Sequence, residues 1–186
     1  MPRVNLEGSS SIVTGGASGI GEACARQLAD LGSKVVIADL NEERGQQVAD
    51  EIGGAFVKCD VSSIEDADAA VAAAAALGPL RACVNSAGLG AAGRTVGRDG
   101  EPFPLDKFSF VIKVNLIGTF NMLSRAAAQM AKQEPLDDDG GKGAIVNLAS
   151  AAAFDGQIGQ CAYSASKAGA VSYTHLLAHE TRSDHL

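Results

Sequence analysis

Tyr163 and Lys167 stand four residues apart in the stretch "YSASK", a spacing that places a phenol and an ammonium on one face of a helix beginning near Gln160. A phenol, with a reference pKa of about 10, is a poor base at neutral pH. An adjacent ammonium favours the phenolate, and the pair can then exchange a proton with an alcohol or carbonyl oxygen. Ser150, at the end of the run "GAIVNLAS", offers a hydroxyl able to hold that same oxygen. A lone Tyr-x-x-x-Lys arises readily by chance, and its plain alternative is a solvent-facing pair worth roughly 0.2–0.5 kcal/mol. Its weight comes from the residues that accompany it.

The second group is a glycine-rich turn, "TGGASGIG", running from Thr14 to Gly21. Gly15, Gly19 and Gly21 let the backbone turn tightly and approach a pyrophosphate resting on the N-terminus of the next helix. The spacing is G-x-x-x-G-x-G rather than G-x-G-x-x-G. Many such turns only connect, so the position between a strand and a helix is what singles this one out. Asp39 ends the following strand, where a carboxylate accepts hydrogen bonds from adenosine ribose hydroxyls and repels a 2′-phosphate. No Lys or Arg lies between Thr14 and Gly21 to attract that phosphate, so NAD is expected rather than NADP. The competing role for Asp39 is to cap the loop into the next helix. Asp60 and Val61 are placed to flank the adenine, although an Asp after a strand is also ordinary turn chemistry.

These residues need a frame that brings them together. "SSIVTGG", "KVVIADL", "AFVKCDV", "RACVNSAG" and "GAIVNLAS" read as short apolar strands, with helical stretches between them. That alternation is the pattern of an α/β fold, a Rossmann-type doubly wound parallel sheet with helices on both faces. Ligands of such a sheet bind beyond the carboxyl ends of its strands, where Thr14, Asp39, Asp60, Asn85 and Ser150 fall. The first helix, "GIGEACARQLADLG", shows an apolar side at Ile20, Cys24, Leu28 and Leu31, with a glycine stop at Gly32. Asn41 is the expected N-cap of the second helix, and the third, "IEDADAAVAAAAALG", is alanine-rich and suited to close packing on a sheet. One long helix is expected from about Asp106 to Lys132. Its stripe of Phe108, Ile112, Asn115, Thr119, Met122, Ala126 and Met130 turns Asn115 inward. A buried amide needs partners, so Asn115 either satisfies local backbone groups or fixes a water in a relay toward Lys167. "GLGAAGRTVGRDGEPFP" is a loop long enough for a binding role, and "QEPLDDDGGKG" reads as an acidic, solvated turn.

Composition narrows the function classes. The chain has 186 residues, 46% hydrophobic and 20% charged, enough for one globular domain with a real core. A net charge of −7 argues against nucleic acid, whose phosphates need a basic face. No signal region or membrane-length apolar run is evident, which makes the cytoplasm the expected compartment and a membrane an unexpected partner. Cys24, Cys59, Cys83 and Cys161 are widely spaced, so buried thiols are expected and a metal site or disulfide framework is not.

Taken together, "TGGASGIG", Asp39, "CDV", "NSAG", Asn115, Ser150 and "YSASK" resemble the short-chain dehydrogenase/reductase family across about Leu6 to Ala170. The resemblance implies a catalytic set of Asn115, Ser150, Tyr163 and Lys167, with Ser150 and Tyr163 on the substrate and Asn115 in the relay. It assigns to the NAD site Thr14, Gly15, Ser18, Gly19, Ile20, Gly21, Asp39, Asp60 and Val61. The turn Asn85, Ser86, Ala87 and Gly88 belongs to the same site, as do Tyr163 and Lys167 through the nicotinamide ribose. Within the family, "VNLIGTFNM" and "NLASAAAFDGQIGQCAYSASKAG" resemble the 3-hydroxyacyl-CoA dehydrogenase branch. This implies NAD-linked oxidation of a 3-hydroxyacyl-CoA to the 3-oxoacyl-CoA, with an acyl pocket shaped by Ala151–Ala153 and the loop before Phe103. It also implies a homotetramer for the full-length parent. A 3-oxoacyl-carrier-protein reductase or a hydroxysteroid dehydrogenase is the alternative within the class; Asp39 speaks against the NADPH preference general among the former. A nucleotide-binding module without turnover is the alternative outside it.

The final residues read differently. Members of the family continue past the Tyr-Lys helix into further strands and a substrate-covering segment, whereas here the last strands are absent and composition shifts after Ala170. His175, His179 and His185 cluster in "VSYTHLLAHETRSDHL", which resembles translated adapter sequence. The expectation is an incomplete dehydrogenase domain over residues 1–170, with little or no turnover by itself, and a tail over 171–186 foreign to the family. The i, i+4 pair His175 and His179 has no evident third ligand and is not expected to hold a metal.

Overall fold

A computed structural model of the chain describes residues 6–136, 138 and 140–180, with side chains in the last helix described as far as Tyr173. The chain forms two compact units, one of residues up to Ala87 together with Asn121–Val146, the other of Gly88–Phe120 and the residues from Asn147 onward.

The first unit is built on a sheet of five strands in the order β3-β2-β1-β4-β5. These are β1 (Ser10–Thr14), β2 (Lys34–Asp39), β3 (Ala55–Lys58), β4 (Leu80–Asn85) and β5 (Ala144–Asn147). β1 runs parallel to both β2 and β4, and β2 runs parallel to β3. All five residues of β1 are buried, as a strand covered on both faces must be. Its polar side chains are therefore all bonded. Ser10 Oγ donates to the Gly78 carbonyl at 3.0 Å, and the Ser11 and Ser33 hydroxyls pair at 2.6 Å. The register sets Thr14 beside Ala38 on one side and Asn85 on the other, so these strands end in one row.

Helices α1 (Gly19–Asp30), α2 (Glu42–Ile52) and α3 (Ile64–Leu77) connect the strands. Asn41 caps α2 by accepting from Arg44 N at 3.1 Å, as its position predicts. Ser63 caps α3 in the same way, through Asp66 N at 3.1 Å. The buried face of α3 is Ala67, Ala70, Val71 and Ala74, small side chains that let it lie close on β1 and β2. The face of α1 differs from expectation. Gly21 and Ala25 turn inward, Cys24 and Leu28 lie at the margin, and Ile20 is 65% exposed. Close approach is achieved by the two smallest side chains, a pattern that a search for large apolar residues passes over.

The expected long helix is three segments in one run: α4 (Leu105–Ile112), a wider π-type turn (Lys113–Gly118) and α5 (Thr119–Ala131). Apolar periodicity carries through the wide turn, but the backbone bonding does not, which is why the sequence reads as a single helix. Asn115, Thr119, Met122, Ala126 and Met130 are buried along the stripe, with Phe108 and Ile112 half-buried. In the second unit a short turn (Ala151–Ala153) and α6 (Cys161–Glu180) follow, and α6 packs on α4, the wide turn and the short turn. α6 runs through the segment expected as a tail, and the Tyr173 ring meets Phe120 edge-on at 5.8 Å. The side chains of His175 and His179, and all of His185, lie outside the described residues.

Candidate functional site

In the first unit the glycine turn is drawn tight by bonds between strand ends. Thr14 Oγ1 accepts from Ser86 N and Ala87 N, both at 3.1 Å, and Gly15 N donates to the Ala38 carbonyl at 2.9 Å. Gly15 adopts φ +64°, and a Cβ there would stand 2.8 Å from Ala87 N. At Gly21 a Cβ would meet the Gly15 carbonyl oxygen at 2.1 Å, so α1 can start this close to the turn only without a side chain. Ser18 precedes Gly19 in an extended conformation and makes no side-chain capping bond. The first-turn amides of α1 thus lack a side-chain cap and carry the positive end of the helix dipole, an arrangement that fits an anionic group. Exposed Ile20 borders the same helix end.

Asp39 performs the capping role weighed for it and is also tied to the glycine turn. Its Oδ1 accepts from Asn41 N at 2.9 Å, the loop cap, while Oδ2 accepts from Ala17 N at 3.0 Å, which ties the carboxylate to the glycine turn. Its half-exposed position and remaining lone pairs suit ribose hydroxyls. Asp60 behaves as turn chemistry, its Oδ1 accepting from Ser62 N at 2.9 Å and Ser62 Oγ at 2.7 Å. Val61 is buried, Asn85 is buried, and Ser86 and Ala87 are half-buried.

Sequence reasoning missed Asn121. This buried side chain on α5 donates through Nδ2 to the carbonyls of Val61 at 2.8 Å and Ser63 at 2.9 Å, holding the loop after β3. Its Oδ1 bonds Arg125, which also pairs with Asp68. A polar amide between Phe120 and Met122 on an apolar stripe was the available signal.

The second unit contains all four residues of the expected catalytic set. Lys167 is 6% exposed, its Nζ donates to the Leu148 carbonyl at 2.6 Å and stands 5.8 Å from the centre of the Tyr163 ring. Burial holds its pKa below the ordinary lysine value. Ser150 ends the segment after β5 and accepts from Ala152 N at 3.2 Å, which leaves its own proton for another acceptor. Asn115 is wholly buried on the wide turn. Oδ1 accepts from Leu89 N at 2.8 Å, and Nδ2 donates to the Leu89 carbonyl at 2.7 Å and to Ser166 Oγ at 3.1 Å. The Leu89 backbone and the Ser166 hydroxyl thus satisfy its amide. The Asn115 carbonyl accepts from Thr119 Oγ1 at 2.7 Å. Gly88 is pressed against this group, since a Cβ there would lie 3.3 Å from Asn115 Oδ1 and 3.7 Å from Lys167 Nζ.

At the start of α6 opens a cavity of about 540 Å³ lined by Arg94, Thr95, Gln157, Ile158, Cys161 and Ser164 among others. The long loop contributes Arg94 and Thr95 to it, whereas Ala151–Ala153 form their own turn and are not among the lining residues. The loop is held there by Gly93 N, which donates to the Gly159 carbonyl at 2.9 Å. The four cysteines are free thiols, and burial pushes those of Cys59 and Cys83 up to about 12. Among the described residues no cluster of metal-ligating side chains occurs, and no helix is long and apolar enough to cross a membrane.

The family model for short chain dehydrogenases matches residues 10–185. The 3-hydroxyacyl-CoA dehydrogenase type-2 of Drosophila melanogaster is 46% identical over 173 residues, covering 91% of this chain and 68% of its own length. The protein of the same name from Homo sapiens is 41% identical over 174 residues, covering 91% and 66%. The crystal structure of the Mycobacterium avium 3-hydroxyacyl-CoA dehydrogenase type-2 superposes with a TM-score of 0.89 at 45% identity, covering 93% of this chain and 69% of that one. The chain therefore spans about two thirds of the length of the relatives it matches.

Proposed function

Since the chain belongs to the short-chain dehydrogenase family, we propose that it is an NAD-dependent oxidoreductase that converts a secondary alcohol, a 3-hydroxyacyl-CoA, to the ketone. The observation that carries this reading is the buried Lys167 ammonium poised over the Tyr163 ring. With that ammonium beside it, the Tyr163 phenol oxygen takes the proton of the substrate hydroxyl. The Ser150 hydroxyl, with its oxygen already accepting from Ala152, donates to the substrate oxygen and holds it during the transfer. Bound NAD supplies the hydride acceptor. Thr14, Gly15, Gly19 and Gly21 shape the turn for the pyrophosphate, and Asp39, fixed by two backbone amides, selects unphosphorylated ribose.

The acyl-CoA assignment is supported by the type-2 relatives and by the cavity at the start of α6, where Arg94 lines an opening of about 540 Å³. The proposal extends to a role in acyl-chain metabolism, to the cytoplasm as compartment, and to a homotetramer for the full-length protein. The decisive assay follows NADH formation from NAD and 3-hydroxybutyryl-CoA, with Tyr163→Phe as the comparison. The expected result is turnover in the parent, loss of about a hundredfold or more in the variant, and unchanged NAD binding. Equal turnover in both would overturn the assignment of Tyr163.

A further inference from the structure

Ser166 lies on α6 between Tyr163 and Lys167 and is 0% exposed. Its Oγ lies 3.1 Å from Asn115 Nδ2 and 2.7 Å from the main-chain oxygen of Tyr163. The polarity of this path is forced. Leu89 N–H requires an acceptor and Leu89 C=O a donor, so the Asn115 carboxamide must stand with Oδ1 on the first and Nδ2 on the second. A flipped amide would set donor against donor and acceptor against acceptor. The remaining hydrogen on Nδ2 therefore goes to Ser166, which must accept it, and the serine's single proton goes to the Tyr163 carbonyl. One hydroxyl thus joins the turn of α6 that bears Tyr163 and Lys167 to the backbone at Leu89. That backbone continues from Gly88, where a Cβ would come within 3.7 Å of Lys167 Nζ.

We propose that Ser166 is a positioning residue for the proton-transfer pair, acting through Asn115 and the Tyr163 carbonyl and touching no substrate. The proposal rests on the alcohol-oxidising reading above. Without the hydroxyl, Asn115 Nδ2 keeps an N–H with no partner in a fully enclosed place. Relief comes from turning the carboxamide or admitting water, and either loosens the Leu89 backbone that Asn115 holds.

The test is Ser166→Ala in the full chain, a substitution that keeps helix propensity and removes one oxygen. With 3-hydroxybutyryl-CoA and NAD, kcat should fall about tenfold, equivalent to ~1.4 kcal/mol of lost coupling, with both KM values within about twofold of the parent. A second readout does not need turnover: a crystal structure of Ser166→Ala should show the Asn115 carboxamide turned or a water in place of the lost hydroxyl. Unchanged kcat with an undisturbed Asn115 would overturn the proposal, as would a loss confined to KM. A parent that does not oxidise 3-hydroxybutyryl-CoA would sink that reading alone, and the position of the Asn115 carboxamide in Ser166→Ala would then decide the role of Ser166.

Discussion

Lys167 holds its ammonium 5.8 Å from the centre of the Tyr163 ring while donating at 2.6 Å to the Leu148 carbonyl. The carbonyl bond fixes where the charge sits, and burial makes the charge costly, so its field acts on Tyr163 with little screening. Because burial lowers the pKa of Lys167 below 10.5, the unfolded chain binds more protons than the folded one between the lowered value and 10.5. Stability contributed by this residue should therefore rise with pH through that window. Thermal unfolding of the parent and of Lys167→Met should show the parent gaining on the variant as pH climbs to 10.5. Turnover of the variant should fall about a hundredfold or more at neutral pH.

Asp39 gives a second prediction. In Asp39→Ala, Ala17 N and Asn41 N both lose their acceptor, and no carboxylate remains to repel a 2′-phosphate. NAD affinity should drop about tenfold, and the ratio of NAD to NADP affinities should narrow by about tenfold or more, each factor corresponding to ~1.4 kcal/mol. Calorimetric titration with both dinucleotides reads both numbers. An unchanged ratio would show that Asp39 serves the loop alone.

These residues differ in how plainly the sequence shows them. Thr14, Asp39 and Asn85 can be read directly, because a parallel sheet sends its ligand-binding groups to the strand ends and the apolar runs mark those ends. Tyr163 and Lys167 are legible from helical spacing. The wide turn at Lys113–Gly118 is not, since it alters backbone bonding while leaving the apolar stripe intact. Ile20 escapes for another reason: the packing of α1 rests on Gly21 and Ala25, whose small size carries no hydrophobic signal. Asn121 and Ser166 act through carbonyls and amides distant in sequence, and such partners become visible only once the chain is folded.

Gly21 tests the glycine turn. Gly21→Ala would place a Cβ 2.1 Å from the Gly15 carbonyl oxygen, a backbone atom that cannot swing away. The start of α1 must then retreat from the turn, at a cost of about 1–3 kcal/mol. Both NAD affinity and the unfolding midpoint should fall. Binding that survives a lowered midpoint would show that the turn's shape does not determine recognition.

Asn121 offers the sharpest separation of cofactor binding from chemistry. Its amide holds the Val61 and Ser63 carbonyls from the helix side, and Asp66 Oδ2 holds Asp60 N at 2.8 Å from α3. The loop after β3 is thus clamped from two helices, and neither clamp belongs to the proton-transfer group. Asn121→Ala would leave one buried and one part-buried carbonyl short of a donor, a loss of about 1–3 kcal/mol. It would also free Arg125 from its bond to residue 121. The loop should loosen, so KM for NAD should rise about tenfold while kcat at saturating NAD stays within about twofold. Steady-state kinetics over a range of NAD concentrations separates the two constants. A fall in kcat with unchanged KM would mean that Asn121 supports the chemistry, and the assignment of the Asp60–Ser63 loop to the adenosine end of the cofactor would lose its ground.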